Sequence, residues 1–158
     1  MNHSKQIGVF IDGVKRYFAH LGETEESLDF GVPYLVKNAE PLGRDFTGVI
    51  AISGANQGFV FFSSGRSLLS NILLSHGETQ FTTQYMKDLV GEIANTISGN
   101  ARASFGEDFT ISTPTVISGP IETKMLDRNR RSYILPLRWK SNGAVSYTHL
   151  TLPTICSV

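Results

Sequence analysis

Apolar residues recur at helical spacing in three stretches of the chain. The first stretch runs from Ile7 to Leu21, with Ser4 placed to cap its start, and the second is short and spans Leu68 to Leu73. The third runs from about Thr83 to Ala103. Its apolar residues define one buried face: Met86, Leu89, Val90, Ile93, Ala94 and Ile97. The pattern therefore predicts two long helices and a short helix between them.

Runs rich in β-branched and aromatic residues predict strands between and after these helices. Phe46–Ile52 and Phe59–Phe62 flank a polar turn that contains glycine, which is typical of a hairpin. Further strands are expected at Val32–Val36, Phe109–Ile111, Thr115–Ile117 and Tyr133–Lys140. The order of these elements predicts an α+β domain in which helices pack against a largely antiparallel sheet.

Two features qualify the predicted strands. Pro136 interrupts the last apolar run, and because proline cannot donate a ladder hydrogen bond, this strand is expected at an edge of the sheet or with a bulge. The acidic stretch Glu23–Asp29 is expected to be a loop that leads from the first helix to the strand at Val32–Val36.

The C-terminal residues follow a strong hairpin-turn sequence, Asn142-Gly143. An apolar closing strand is expected after this turn, but Ser146–Thr154 resembles adapter or vector read-through more than a native strand. An ordinary polar strand is the alternative, because residues alternate from Val145 to Thr151. The sequence thus predicts a domain over residues 1–145 and a tail over residues 146–158, interpreted either as non-native read-through or as a polar strand.

The solvent side of the long central helix departs from the usual composition of a helix surface. At about 100° per residue, Asp88, Glu92, Asn95 and Gly99 lie together opposite the apolar face. Gly91 and Gly99 are poor residues for a helix interior and cost roughly 1 kcal/mol each relative to alanine. A local conflict of this kind without an evident structural gain predicts a functional site.

A carboxylate and a neutral amide side by side suggest contact with a charged partner. Glu92 can accept a charge-assisted hydrogen bond from a lysine or arginine, and Asn95 both donates and accepts without net charge, which suits holding a water against a phosphoryl group. Gly91 and Gly99 would let a second surface approach the helix backbone. The alternatives are a solvated Glu92–Asn95 pair without function, glycines that serve close packing, and a local bond from Asp88 to Gln84.

Composition limits the other classes of function. The chain has 158 residues, 41% of them hydrophobic, and a formal net charge of zero, so a single globular domain is expected and neither a nucleic acid nor a membrane is favoured as a partner. The basic residues between Lys124 and Lys140 are interpreted as a solvated loop or, alternatively, as a surface for an acidic partner. A single cysteine, Cys156, and the lack of a signal peptide or long apolar run predict a cytoplasmic protein. Nucleotide-binding glycine motifs and histidine clusters are missing, so neither a cofactor nor a metal is expected on this chain.

The pattern Asp88-x-x-x-Glu92-x-x-Asn95 resembles the signature helix of the CheC/CheX/FliY family of chemotaxis phosphatases. The segments Phe109–Gly119 and Ile134–Trp139 are also similar to the CheX type in particular. CheC-like members carry the E-x-x-N helix twice and CheX-like members once, and the first helix here has no such motif. The resemblance extends from about Ile7 to Gly143. It departs from the family pattern at a proline expected somewhat over twenty residues after the asparagine: Pro114 is nearer and Pro120 slightly beyond.

The resemblance implies an antiparallel sheet with two long helices on one face, and a homodimer. It also implies hydrolysis of the aspartyl phosphate of a CheY-like response regulator, with Glu92 docking on the regulator's active-site lysine, Asn95 orienting the attacking water, and Asp88 in a positioning role. Mg²⁺ would be bound by the response regulator and not by this chain. The main alternative is a non-catalytic module that binds a response regulator or a scaffold, and a flagellar-switch component is a weaker one.

Overall fold

The structure is a computed structural model, which describes residues 3–21, 28–37, 43–54, 58–119, 131–141 and 144–152. These residues contain three helices and eight strands. The helices are α1 (His3–Ala19), α2 (Arg66–Ser75) and α3 (Thr83–Phe105). The strands are β1 (Leu28–Phe30), β2 (Tyr34–Lys37), β3 (Phe46–Gly54), β4 (Gly58–Ser64), β5 (Phe109–Ile111), β6 (Thr115–Ser118), β7 (Arg131–Ser141) and β8 (Ala144–Leu152).

All eight strands form one antiparallel sheet in the order β1-β7-β8-β4-β3-β5, with β2 beside β7 and β6 beside β3. Side chains alternate across the sheet, so that Ile50 of β3 and Phe62 of β4 join the helices in one hydrophobic core, whereas Val49 and Phe61 belong to a small cluster apart from it. All three helices contribute to the main core and therefore cover the same face. The predicted α+β fold with two long helices on one face is confirmed, with α2 as a third, shorter helix.

Helix α3 lies directly on β3 because glycine replaces a side chain at the point of contact. Gly48 follows Phe46 on the helix-facing side of β3, and a Cβ built on Gly48 would lie 2.4 Å from the carbonyl oxygen of Val90. Such a distance is far below van der Waals contact, so only glycine permits this approach of helix backbone to strand. The site-bearing helix is therefore fixed against the centre of the sheet.

The N-terminal edge of the sheet differs from the prediction. The expected loop at Glu23–Asp29 ends in strand β1, which pairs with β7 from Leu28 to Phe30, and Val32 lies outside any strand and is exposed. Pro136 is not on an edge strand, because β7 has β8 on one side and β1 and β2 on the other. The chain leaves the ladder between β1 and β2, opposite Pro136, where the Gly31 amide donates to the Pro136 carbonyl. The alternative prediction, a bulge, describes this interruption.

Residues that were assigned to a C-terminal tail contribute to the sheet. The backbone from Ala144 to Leu152 forms β8, which pairs with β7 on one side and β4 on the other. A domain boundary at residue 145 therefore falls inside a strand, and residues 146–152 complete the sheet. The alternative of an ordinary strand describes their backbone, while the read-through origin of this sequence remains a prediction.

Parts of the predicted surface lie outside the described residues. These include Lys124–Arg130 of the basic stretch, Pro120 and Cys156. The basic residue Arg138 is described, and its guanidinium forms an ion pair with Asp29 across the β7–β1 ladder. Within the described ranges, no helix is long and apolar enough to cross a membrane.

Candidate functional site on helix α3

Helix α3 begins at a capped N-terminus and carries a buried and an exposed face. The Thr82 hydroxyl accepts a hydrogen bond from the Tyr85 amide at 3.1 Å and caps the helix. The buried face packs against β3, β4, α1 and α2. The predicted functional side chains Asp88, Glu92 and Asn95 are all exposed. The structure therefore places these three residues, at i, i+4 and i+7, in one row on the solvent side of a well-anchored helix.

Asp88 is held by its own helix. The Gln84 side-chain amide donates to an Asp88 carboxylate oxygen at 2.8 Å, one turn earlier. This bond was one of the predicted alternatives for Asp88. The bond from Gln84 involves one carboxylate oxygen of Asp88 and orients the side chain along the helix axis. A side chain held in this way suits a positioning role better than direct participation in a reaction.

Glu92 lines a recess between the end of α2 and the first turns of α3. The recess holds about 170 Å³ and is lined by Leu73, His76, Glu78, Tyr85, Asp88, Leu89 and Glu92. Three carboxylates thus face one small volume, where a lysine or arginine side chain from outside would meet favourable charge. Sequence analysis did not include His76 and Glu78 in the site, because they join it only when the end of α2 packs beside α3, and it did not include Tyr85, although Tyr85 lies on α3 one turn before Asp88.

Asn95 lies on the same exposed face but does not line this recess. It is one turn further toward the C-terminus than Glu92, the last residue of α3 that lines the recess. Among the described residues, no hydrogen bond occupies its side-chain amide. Both the donor and the acceptor of Asn95 are therefore available to a water or a partner group.

The two glycines of the helix have different environments. Gly91 is buried, and a Cβ there would lie 3.1 Å from Val116 Cγ2 and 3.6 Å from Pro114 Cβ. Because β6 and the residues before it lie against Gly91, the alternative of close packing describes this glycine, and its role in contact with a partner stays a prediction. At Gly99 a Cβ would meet no atom within 4 Å, and this residue borders a second recess with Arg102 and Glu107. Gly99 thus has the open surroundings that contact with a partner requires.

Tyr17 of α1 is a further residue that sequence analysis missed near the site. In the sequence, Tyr17 belongs to the apolar face of the first helix, and in the structure it is buried, with 6% of its surface exposed. Burial raises the pKa of the Tyr17 hydroxyl above its usual value, and the negative charge of Glu92 raises it further. The tyrosine hydroxyl therefore lies within the electrostatic reach of the predicted docking carboxylate.

Metal binding receives no support from the described side chains. Among them, no group of three or more histidine, cysteine, aspartate or glutamate residues could hold a metal ion.

Comparison with known families bears on this row of side chains. The model of the family described as chemotaxis phosphatase CheX matches residues 46–138, more than half of the chain, and this range includes the whole of α3. The chain belongs to the CheX family. A comparison with curated protein sequences finds no significant match.

Solved structures of the CheC and CheX type share the fold over almost the entire chain. A CheC-like superfamily protein from Shewanella sp. PV-4 is 25% identical, with a TM-score of 0.70 over 96% of this chain and 98% of that chain. CheX from Vibrio vulnificus is 22% identical, with a TM-score of 0.67 over 93% of this chain and 98% of that chain. A chain of the CheX–CheY–BeF3–Mg²⁺ complex from Borrelia burgdorferi is 19% identical, with a TM-score of 0.64 over 92% of this chain and 96% of that chain. The last two matches bear on the fold alone.

Proposed function

We propose that this protein is a phosphatase that hydrolyses the aspartyl phosphate of a CheY-like response regulator and so ends a chemotaxis signal. The observation that carries the proposal is the exposed row of Asp88, Glu92 and Asn95 on a helix whose other faces are anchored, in a chain of the chemotaxis phosphatase family CheX. Because the row lies on the solvent side of the helix, it can enter a partner's site without rearrangement of the core.

Glu92 docks the helix on the response regulator. Its carboxylate accepts from the regulator's active-site lysine, and the neighbouring carboxylates of Asp88 and Glu78 in the same recess favour that cation. Asp88 is held by Gln84 and keeps a fixed negative charge one turn before Glu92. This arrangement supplies binding and register rather than bond chemistry.

Asn95 positions the nucleophile. Its side-chain oxygen accepts from a water whose oxygen attacks phosphorus in line with the bond to the aspartyl oxygen. That bond breaks, inorganic phosphate leaves, and the regulator's aspartate returns to a free carboxylate. An uncharged amide suits this task because a second carboxylate would repel the phosphoryl oxygens. Catalysis of this kind rests mainly on orientation of the reacting groups.

Mg²⁺ is expected on the response regulator, where it would neutralise phosphoryl charge. The complex from Borrelia burgdorferi, which contains CheX, CheY, BeF3 and Mg²⁺, supports a CheY-like partner and is consistent with Mg²⁺ on that partner. The homodimer implied by the family resemblance remains a prediction, which sedimentation velocity would test.

The proposal is tested by following loss of phosphate from a phosphorylated CheY-like regulator with and without this protein. Asn95→Ala is expected to slow the accelerated reaction on the order of a hundredfold, equivalent to about 3 kcal/mol, because one orienting contact is lost. Glu92→Ala is expected to raise the concentration needed for half-maximal rate. Asn95→Asp keeps the size of the side chain and is expected to be as slow as Asn95→Ala, because its charge opposes the phosphoryl group.

An exposed residue elsewhere on α3 provides a matched control. Ser104→Ala is expected to leave the rate unchanged, since Ser104 lies away from the row. Circular dichroism should show the parent fold in every variant. If Asn95→Ala and Glu92→Ala act as fast as the parent, the assignment of the site is wrong. If the parent binds the phosphorylated regulator without shortening its half-life, the protein is the non-catalytic binding module instead.

A further inference from the structure

Tyr17 carries a hydroxyl group in the hydrophobic core, where packing does not require a polar atom. The ring is buried in the main hydrophobic core and contacts Phe18 edge-on, with ring centroids 5.4 Å apart. Its Oη is shielded from solvent and has no hydrogen-bond partner among the residues that the structure describes. Phenylalanine would fill the same space without leaving a buried donor unsatisfied, so the hydroxyl costs stability in the free protein. A group kept at such a cost is a candidate for a role in the bound state.

The register of α1 against α3 brings Tyr17 to the level of Glu92. A Cβ on Gly13 would lie 3.3 Å from the Ile97 carbonyl oxygen, and the Asn100 amide donates to the Gly13 carbonyl at 3.4 Å. At the other end, Phe10 contacts Phe105, with ring centroids 6.1 Å apart, so the two helices run antiparallel. One turn beyond Gly13 is Tyr17, and one turn before Ile97 is Ile93, the neighbour of Glu92.

The electrostatic effect of Glu92 on Tyr17 supports this register independently. After burial, the negative charge of Glu92 is the second cause that raises the pKa of the Tyr17 hydroxyl. Glu92 itself is exposed, and among the described residues no hydrogen bond fixes its carboxylate. The Glu92 carboxylate, which binds the partner's cation in the proposed function, is thus free to rotate. The unsatisfied Tyr17 hydroxyl lies at the same level on the neighbouring helix.

We propose, building on the proposed function, that Tyr17 is a positioning residue whose Oη–H donates to the Glu92 carboxylate when the helix docks. One carboxylate oxygen then accepts from Tyr17 and the other from the lysine of the response regulator. The bond satisfies the buried hydroxyl and selects the rotamer of Glu92 that faces the partner. Tyr17 contacts neither phosphate nor water, and it acts only through Glu92.

The test is Tyr17→Phe, measured by steady-state dephosphorylation of the regulator. KM is expected to rise about fivefold and kcat to stay within about twofold, because a hydrogen bond that supports docking is lost while Asn95 is untouched. The melting temperature is expected to stay the same or to rise, since an unsatisfied hydroxyl is removed. Tyr34→Phe, at an exposed tyrosine of β2, is the matched control and is expected to change neither KM nor the melting temperature.

A double-mutant cycle separates positioning from a general effect on the fold. In a Glu92→Ala background, Tyr17→Phe is expected to leave kcat/KM unchanged, because the group it acts through is gone. An equal loss of kcat/KM in both backgrounds would overturn the inference, as would a parent-like KM for Tyr17→Phe. Either result leaves the phosphatase assignment intact if Asn95→Ala is still inactive.

A measurement without any partner tests whether Tyr17 and Glu92 are close enough to interact. In protein labelled with ¹³C at tyrosine Cζ, the Tyr17 resonance is expected to move when Glu92 is replaced by Gln, and to move less for Asp88→Asn, one turn away. If the resonance does not respond to Glu92→Gln, Tyr17 does not interact with Glu92 and the inference fails, whatever the phosphatase assay gives. If the resonance responds but the parent neither binds nor dephosphorylates the regulator, the proposed function fails and the role in docking falls with it.

Discussion

The two sides of α3 follow different rules. Toward the sheet, the helix backbone at Val90 sits against Gly48, and Ala94 is completely buried at the same contact. Toward solvent, Asp88, Glu92 and Asn95 are exposed. On the sheet side, close packing determines each residue and even excludes a Cβ at Gly48. Nothing in the fold requires the particular residues on the solvent side.

This difference shows how a rigid fold can present a reactive surface. A side chain held within a fraction of an ångström of its productive position contributes more to a reaction than a mobile one, because its orientation is fixed in advance. Close packing on one side of α3 fixes the helix, and the helix fixes the backbone positions from which the side chains of the row project. Substitutions on the sheet side should therefore change stability and activity together, while those on the solvent side should separate them.

Gly48→Ala is expected to have the largest effect on stability. The added Cβ would meet the Val90 carbonyl at 2.4 Å and the Ala94 Cβ at 3.2 Å, so α3 must lift from the sheet. Overpacking of this kind against backbone should lower the free energy of unfolding by about 3 kcal/mol. Urea denaturation measures the loss, and the dephosphorylation rate should fall with it because the row is displaced. Gly8→Ala, where a Cβ on α1 has no neighbour within 4 Å, is the matched control and should not destabilise. Equal stability of the two variants would show that α3 does not rest on β3 as described.

The roles of the glycines also show where prediction from sequence ends. Periodicity predicted α3 and the hairpin of β3 and β4, because both are properties of local sequence. Gly48 appeared only as a residue within a strand, since a close approach between helix and sheet depends on tertiary packing. Gly91 and Gly99 looked alike, but β6 and Pro114 cover the first and leave the second open.

Other parts of the molecule were missed for related reasons. Strand β1 has three residues and is recognisable only from its pairing with β7. Tyr17 is indistinguishable from other apolar residues of α1 until its unsatisfied hydroxyl is located. The recess at Glu92 depends on His76 and Tyr85, which are separated by a helix end and a loop. The row itself was predictable because it lies within one helix, whereas its surroundings come from other segments of the chain.

Thr82→Ala should have a smaller effect, confined to the start of α3. The Thr82 hydroxyl caps the Tyr85 amide, and its loss should cost about 1 kcal/mol of stability. Amide hydrogen exchange should speed up in the first turn and leave the sheet-facing residues near Val90 protected. Thr83→Ala, at the next position, removes a similar hydroxyl that makes no cap and is the matched control. If exchange accelerates uniformly along α3, the first turn does not open independently of the rest of the helix, and the predicted local effect is wrong.

Gly99→Ala should have the smallest effect on stability and the opposite sign. A Cβ there meets no atom within 4 Å and replaces a residue unfavourable in helices, so the free energy of unfolding should rise by roughly 0.5–1 kcal/mol. Ala103→Gly, at an exposed position one turn further along α3, should lose a similar amount. Because the free protein gains from the change, any fall in kcat/KM toward the phosphorylated regulator must arise in the complex. A several-fold fall would place Gly99 at the docking surface, and an unchanged value would remove it from the site and leave Glu92 and Asn95 to carry the function.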